Sequence, residues 1–439
     1  MPEGGQALYW LYAPARRVLA DHRRAQGLPA NLARAFEHEP LMTASAPPGV
    51  EPRRAAADRA AGFDRNRYMR RRLVGYVLLS VAVLTIPASA FANRRHDHGL
   101  IVLLDVTTGR QVARITGNGV IDAAVADGGG GWFVGGGFTR LANQRHFALA
   151  HVLASGAVDP SWHGSVGSAG GRPVAVQALA RAGTRLYVAG AFARVGGLHR
   201  PGLGAIDAHT GHGVSSWVPK PLRWLDVGAL LVAGPRLLVA GQFNYPTPGI
   251  TALEVRTGAA DRRWNPHLLL IGDAGGFSTL MLHRPRVYVA GSFHVSGLQR
   301  NGLVALDARN GRPDRRWAPR VSNCSICNGF AVLYGLVPSR SRVYVSGAFR
   351  RIDGVARDGI AALDPNTGGL VRQWKPARGG SNILRLALIG DRLYAGGLNG
   401  LFALSRTTGS PVHLATVEVP HQVLALTPSE GELLVAGRP

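Results

Sequence analysis

A chain of 439 residues that is 46% hydrophobic and carries 58 glycines is neither disordered nor, lacking a three-residue period, collagen-like. It is too long for one ordinary core unless the architecture is modular. The formal charge of +24 is almost all arginine, with lysine only at Lys220 and Lys375, and attracts nucleic acid, anionic lipid or anionic polymers without specificity.

Residues 1–68 are rich in Arg, Ala and Pro and show no sustained pattern beyond a short amphipathic stretch. Residues 69–92, "MRRRLVGYVLLSVAVLTIPASAFA", join three arginines, an apolar run, a proline and two A-x-A steps. That order is the layout of a secretory signal peptide. It starts at an internal methionine. Either translation begins at Met69, or residues 1–68 form a cytoplasmic tail on an uncleaved signal anchor, since 73–92 is long enough to span a bilayer. In both readings the remainder is exported, because the arginines stay inside. A Sec-type signal, an extracellular or cell-surface location and no nucleic-acid partner are therefore expected. Membrane contact is expected only through 73–92, if uncleaved.

Beyond residue 99 the chain repeats. "RLYVAGAF" (185–192), "RVYVAGSF" (286–293) and "RVYVSGAF" (342–349) are near copies. Their glycines align as Gly136, Gly190, Gly241, Gly291, Gly347, Gly397 and Gly437. A second string alternates with the first: "LLDVTTG" (103–109), "AIDAHTG" (205–211), "ALEVRTG" (252–258), "ALDARNG" (305–311), "ALDPNTG" (362–368), "ALSRTTG" (403–409) and a degraded "HVLASG" (151–156). A period of roughly 50 residues marks a repeat architecture. Within one unit, "VQALARA", "RLYVAGAF", "GLGAIDA" and "VSSWVP" read as four short strands joined by Gly- and Asn/Asp-containing turns.

Seven such units predict an all-β fold, a seven-bladed β-propeller of four-stranded antiparallel blades over residues 99–439. The run opens with the second half of a unit and finishes with the first half. The two half-blades are expected to pair, two strands from each, and so close the ring and remove two sheet edges. The mid-strand glycine predicts a bulge or a close approach of a neighbouring blade. Trp162, Trp217, Trp264, Trp317 and Trp374 each follow a turn glycine by six residues. They read as apolar plugs between sheets, in preference to a ligand platform. Asp207, Asp307 and Asp364 hold the turn-entry position, with Glu254 in the same slot.

The string "VYVAGSFHVSGLQRNGLVALDARNGRPDRRWAP" (287–319) resembles the delta-60 repeat, a bacterial β-propeller family, over about residues 119–376. "ALDPNTG" followed by tryptophan also resembles the docking motif of quinoprotein (PQQ-like) propellers, with a longer gap. The resemblance implies fold and little about function, since propellers host enzymes, binders and scaffolds. A quinoprotein enzyme would further imply eight blades and an adjacent cysteine pair, whereas Cys324 and Cys327 are separated by two residues. With no second Cys or His pair at zinc spacing, these two read as a small structural disulfide.

No catalytic, metal-ligating or cofactor-binding set stands out: no H-E-x-x-H, no G-x-S-x-G elbow and no paired carboxylates beyond the turns. One polar feature recurs, an arginine between the second and third strands: Arg145, Arg200, Arg300 and Arg357. Each is expected either to pair with a turn carboxylate or to join a cationic ring that binds an anionic polymer. Residues 94–439 hold 37 Lys and Arg against 19 Asp and Glu, so carboxylates cannot neutralise all the arginines. The expectation is a monomeric, non-enzymatic binding or scaffold module for an anionic cell-surface polymer or a protein partner. The alternative is a quinoprotein-like or hydrolytic enzyme with its site at the channel mouth.

Overall fold

A computed structural model describes residues 99–439 apart from 169–170, 172–173, 220–225, 243–248, 267, 270–276, 296–300, 323–330, 378, 381 and 416. The signal or anchor segment, Arg300, Cys324 and Cys327 lie outside the described residues. Among the described residues no helix is long and apolar enough to cross a membrane.

The fold is all-β. Sheet 1 consists of Val120–Ala126, Trp132–Gly137 and Leu149–Val152. Sheet 2 consists of Ala175–Ala182, Arg185–Ala191 and Leu203–Asp207, and sheet 3 of Asp226–Ala233, Arg236–Gln242 and Ile250–Glu254. Sheet 4 is built on Phe277–His283, Arg286–Val295 and Asn301–Asp307, and sheet 5 on Val332–Pro338, Val343–Ala348 and Ile360–Leu363. Sheet 6 contains Ile383–Ile389, Arg392–Gly397, Gly400–Ser405 and Pro411–Val412. In the terminal sheet, Gln422–Ser429 and Glu432–Arg438 pair with Gly99–Asp105 and Gln111–Gly117. The joint is antiparallel, with Leu100 opposite Gly437 and Asp105 opposite Glu432.

The first strand of each sheet is its inner strand. Each inner strand packs against that of the next sheet, and the inner strand of the terminal sheet packs against that of sheet 1. This is how β-propeller blades neighbour one another. The core is divided accordingly into clusters that each join two adjacent sheets, such as Val188 and Phe192 of sheet 2 with Phe133 and Trp162 of sheet 1.

The expected fourth strand is shorter than the alternation implied. In sheets 1–5 it is reduced to one bridge each, such as Ile206 to Gly213 and Leu363 to Leu370. The cause is a turn in the next residues. In three sheets an aspartate accepts the N–H two residues on: Asp159 from Ser161, Asp261 from Arg263 and Asp314 from Arg316. The chain thereby leaves the ladder and sends its tryptophan into the sheet interface.

All five tryptophans lie there, none more than 2% exposed. Four donate their indole N–H to a turn carbonyl of the following sheet: Trp162 to Ala208, Trp217 to Glu254, Trp317 to Asp364 and Trp374 to Ser405. Trp264 Nε1 finds no acceptor among the described residues. Trp317→Phe should therefore destabilise the protein by about 1 kcal/mol more than Trp264→Phe, because only the first leaves a carbonyl unsatisfied. Urea titrations of the two variants, read by circular dichroism, test the difference.

The aligned glycines serve a bulge. Opposite each one the inner strand carries one extra residue: Asp122, Gln177, Gly228, Ser278, Tyr334, Leu384 and Leu424. The same glycines accept close backbone approach. A Cβ on Gly136 would stand 2.0 Å from the Val120 carbonyl oxygen, and one on Gly347 2.3 Å from that of Val332. The bulge expected at this glycine is present, whereas the close approach comes from the inner strand of the same sheet and not from a neighbouring blade.

Candidate functional site

The bulges open on a central channel. All seven inner strands line it, around a cavity of about 210 Å³. Asp122 and Arg385 are the ionisable side chains among the described residues of that lining. Both line the cavity and are largely buried. Burial pushes the Asp122 carboxyl up to about 6, against the opposing pull of Arg438 and Arg385. Burial also lowers the Arg385 guanidinium, against the attraction of Asp122, and its Nη1 donates to the Leu384 carbonyl at 3.0 Å.

A raised carboxyl means that the folded protein holds this proton more tightly than the unfolded chain does. The stability it contributes is complete below about pH 4 and is lost as pH rises through about 6, an effect of about 3 kcal/mol. Asp122→Asn should flatten the pH dependence of unfolding over that window. An unchanged slope between pH 4 and 6 would contradict the assignment.

The channel offers one carboxylate and no histidine among its described lining residues. No group of three His, Cys, Asp or Glu side chains that could hold a metal occurs among the described residues. The paired acid and base that a hydrolytic site needs are not brought together there.

Two of the recurring arginines, Arg200 and Arg357, are held by backbone carbonyls and not by turn carboxylates. Arg200 donates from Nε to Trp217 O at 3.3 Å, from Nη2 to Ser215 O at 3.2 Å and from Nη1 to His199 O at 3.0 Å. Arg357 repeats the pattern on sheet 5, with Nη1 to Ala356 O at 2.8 Å and Nη2 to Arg372 O at 3.2 Å. Burial and the nearby Arg372 lower the Arg357 guanidinium. The expected partners, the turn aspartates, are engaged elsewhere. Asp207 accepts from the N–H groups of His209 and Thr210, and Asp364 from those of Asn366 and Thr367. Burial alone would raise these carboxyls, but the turn donors hold them below the usual range. Arg200 and Arg357 are thus anchored by carbonyls, and neither pairs with a carboxylate among the described residues.

Arg145 does not share their register. It sits on the strand pair Arg140↔Arg145, where sheet 2 has Arg194↔His199 and sheet 5 has Arg351↔Ala356. The residue equivalent to Arg200 and Arg357 on sheet 1 is His146: each donates its N–H to the corresponding carbonyl, of Thr139, Ala193 and Arg350 respectively. Arg145 is exposed on the rim of a cleft of about 370 Å³, lined by His146, Phe147, Pro160, Trp162 and His163 among others.

Two polar assemblies escaped the sequence reading. One is a latch from each of four sheets to the next. Arg185 and Tyr187 both donate to Val255 O, Arg286 and Tyr288 to Pro365 O, Arg342 and Tyr344 to Arg406 O, and Arg392 and Tyr394 to Val106 O. The last spans from sheet 6 to the terminal sheet. The recurrence of Arg two residues before Tyr was the available signal. The other is a half-buried histidine between two aspartates. His151 Nε2 meets Asp127 Oδ2 and Nδ1 meets Asp159 Oδ2, each at 2.9 Å, and its ring stacks on Phe133. Burial would raise both carboxyls, but His151 and donors from Gly129, Gly131 and Ser161 hold them low. In sheets 3 and 4 the aspartate equivalent to Asp159 pairs with an arginine, Arg236 to Asp261 and Arg286 to Asp314. Sheet 1 has Gly131 in the arginine's place, and His151 takes over its role from the neighbouring strand.

No family model and no curated protein matches the chain. Among solved structures it is similar to BamB from Moraxella catarrhalis, at 16% identity and TM-score 0.43, covering 76% of this chain and 90% of that one. It is similar to the Neurospora crassa Pan2 WD40 domain at 12% identity and TM-score 0.46, covering 73% and 89%. The WD40 β-propeller domain of Doa1 gives 10% identity and TM-score 0.46, covering 76% and 96%. At this level of similarity nothing about function is carried over.

Proposed function

We propose that residues 99–439 form a closed seven-bladed β-propeller of the delta-60 type, exported through residues 69–92. It serves at the cell surface as a non-enzymatic binding or scaffold module for an anionic polymer. The observation that carries the binding reading is the anchoring of Arg200 and Arg357 by backbone carbonyls. A guanidinium held this way keeps its full charge, is fixed in place and still has N–H groups for a phosphate or carboxylate. The excess of 37 basic over 19 acidic residues across 94–439 supports the same reading. Packing of the terminal sheet against both sheet 6 and sheet 1 supports closure of the ring.

The test is retention on immobilised polyglutamate and on an anionic cell-wall polymer as salt is raised. Replacing Arg200 and Arg357 together by glutamine keeps hydrogen-bond donors but removes two charges. Retention is expected to weaken and its salt dependence to become shallower. Equal retention by the wild type and the double variant overturns the proposal. Recovery of the native protein from the cytosol would overturn the export reading.

A further inference from the structure

We propose that the cleft on sheet 1 is a receptor for a guanidinium group, in the simplest case the arginine side chain of a peptide. The site goes beyond the anion-binding face and does not depend on it. The argument rests on internal comparison. On sheets 2 and 5 an arginine lies along the fourth segment and donates to the carbonyl two residues before the tryptophan, Ser215 or Arg372. On sheet 2 it also reaches the tryptophan carbonyl itself, Trp217 O. The same backbone continues on sheet 1, where the corresponding carbonyls belong to Pro160 and Trp162. No donor to either carbonyl occurs among the described residues. The residue in the arginine's register is His146, whose side chain is too short to cover them.

That substitution explains why a cleft of about 370 Å³ exists here, lined by both Pro160 and Trp162. The lining suits a planar, multi-donor cation. Phe147, 48% exposed, stands where sheets 2 and 5 have Pro201 and Asp358, and it offers a ring face for stacking. Burial lowers the His146 imidazole, with Asp159 opposing and His163 reinforcing, so the ring stays neutral at pH 7. Arg145 on the rim is no bar. On sheet 5 the arginine in the register of His146, Arg357, likewise sits beside a second cation, Arg372, close enough to depress it. A guanidinium, with five donors in a rigid fork, satisfies two carbonyls at once, which a lysine ammonium does less well.

The probe is N-acetyl-arginine amide, with the lysine and citrulline amides as controls, titrated by NMR and by the fluorescence of the tryptophans. Saturable binding of the arginine probe, weaker binding of both controls, and shifts centred on the Trp162 indole are expected. His146→Arg supplies the chain's own guanidinium and should weaken probe binding at least tenfold. Phe147→Ala gives a second, milder loss. Absence of saturable binding, shifts centred elsewhere, or equal binding by wild type and His146→Arg overturns the proposal. Polyglutamate retention by His146→Arg should be at least that of the wild type, since the change adds a positive charge, so a loss of probe binding with retention preserved separates the two readings.

Discussion

Gly397→Ala is expected to destabilise the protein by about 3 kcal/mol or more. An added Cβ would sit 1.8 Å from the Asn382 carbonyl oxygen and 2.9 Å from the Ile383 Cα. Both are backbone atoms of the inner strand, so no side chain can swing aside. Relief requires that the bulge at Leu384 be undone, which would shift the register of the strand carrying Arg385. The effect should therefore appear twice, as a lower urea midpoint and as an altered pH dependence between 4 and 6, because Arg385 and Asp122 attract one another in the channel lining. Gly137→Ala, one residue past the equivalent glycine of sheet 1, meets nothing within 4 Å and is the control.

Deletion of residues 99–117 is expected to abolish cooperative folding. Of the two strands removed, Gly99–Asp105 pairs with Glu432–Arg438 and Gln111–Gly117 pairs with Gly99–Asp105, and together they contribute Ile101, Leu103 and Ile115 to the core shared with sheet 1. Deletion also removes the carbonyls of Val106 and Thr107, which hold Arg392 and Tyr394 of sheet 6. What remains presents an open edge at Glu432–Arg438, rich in Leu and Val, and should associate through it. Size-exclusion chromatography with light scattering should show aggregates in place of a single species. A synthetic peptide of residues 99–117 added during refolding should restore the native species. A monomeric, fully folded deletion variant would show that the terminal pairing is dispensable.

Much of this architecture could be read from residues alone, because the repeat is carried by side chains that do one thing. The Gly of "YVAGAF" marks a bulge, the Asp of "AID" a turn, and the Trp six residues past the turn glycine an interface. What the alternation of apolar residues could not show was where the fourth strand stops, since an Asp-mediated turn after one bridge looks in sequence like a strand that continues.

What anchors Arg200 and Arg357 is not legible in sequence, for a physical reason. Their partners at Ser215, Trp217 and Arg372 are backbone carbonyls, present at every position and invisible in composition. A search for carboxylates finds nothing opposite such a residue and leaves pairing with a turn Asp as the default. Arg145 was aligned with Arg200 by residue type, while the backbone pairing sets it against His199. That one-residue offset hid His146, and with it the cleft. His151 was legible only in retrospect, from the coincidence of a retained Asp159 with a glycine at position 131.

The pairing of Leu100 with Gly437 also sets the order of events during folding. Sheets 1 to 6 are each built from neighbouring segments and can form as hairpins on the microsecond scale. The terminal sheet is different: its two halves meet only after the intervening chain has been gathered into place. Closing so long a loop costs little extra free energy, since each doubling of length adds only about 0.6 kcal/mol. It costs time, because no partial reward is collected before the final contact. Folding should therefore show a late phase confined to the terminal sheet, sensed by Tyr394 and silent at Tyr187. Slow closure also implies slow reopening. Strands that arrive last hold the others in register, so the protein's lifetime against proteolysis should follow the rate at which Gly99–Asp105 detaches.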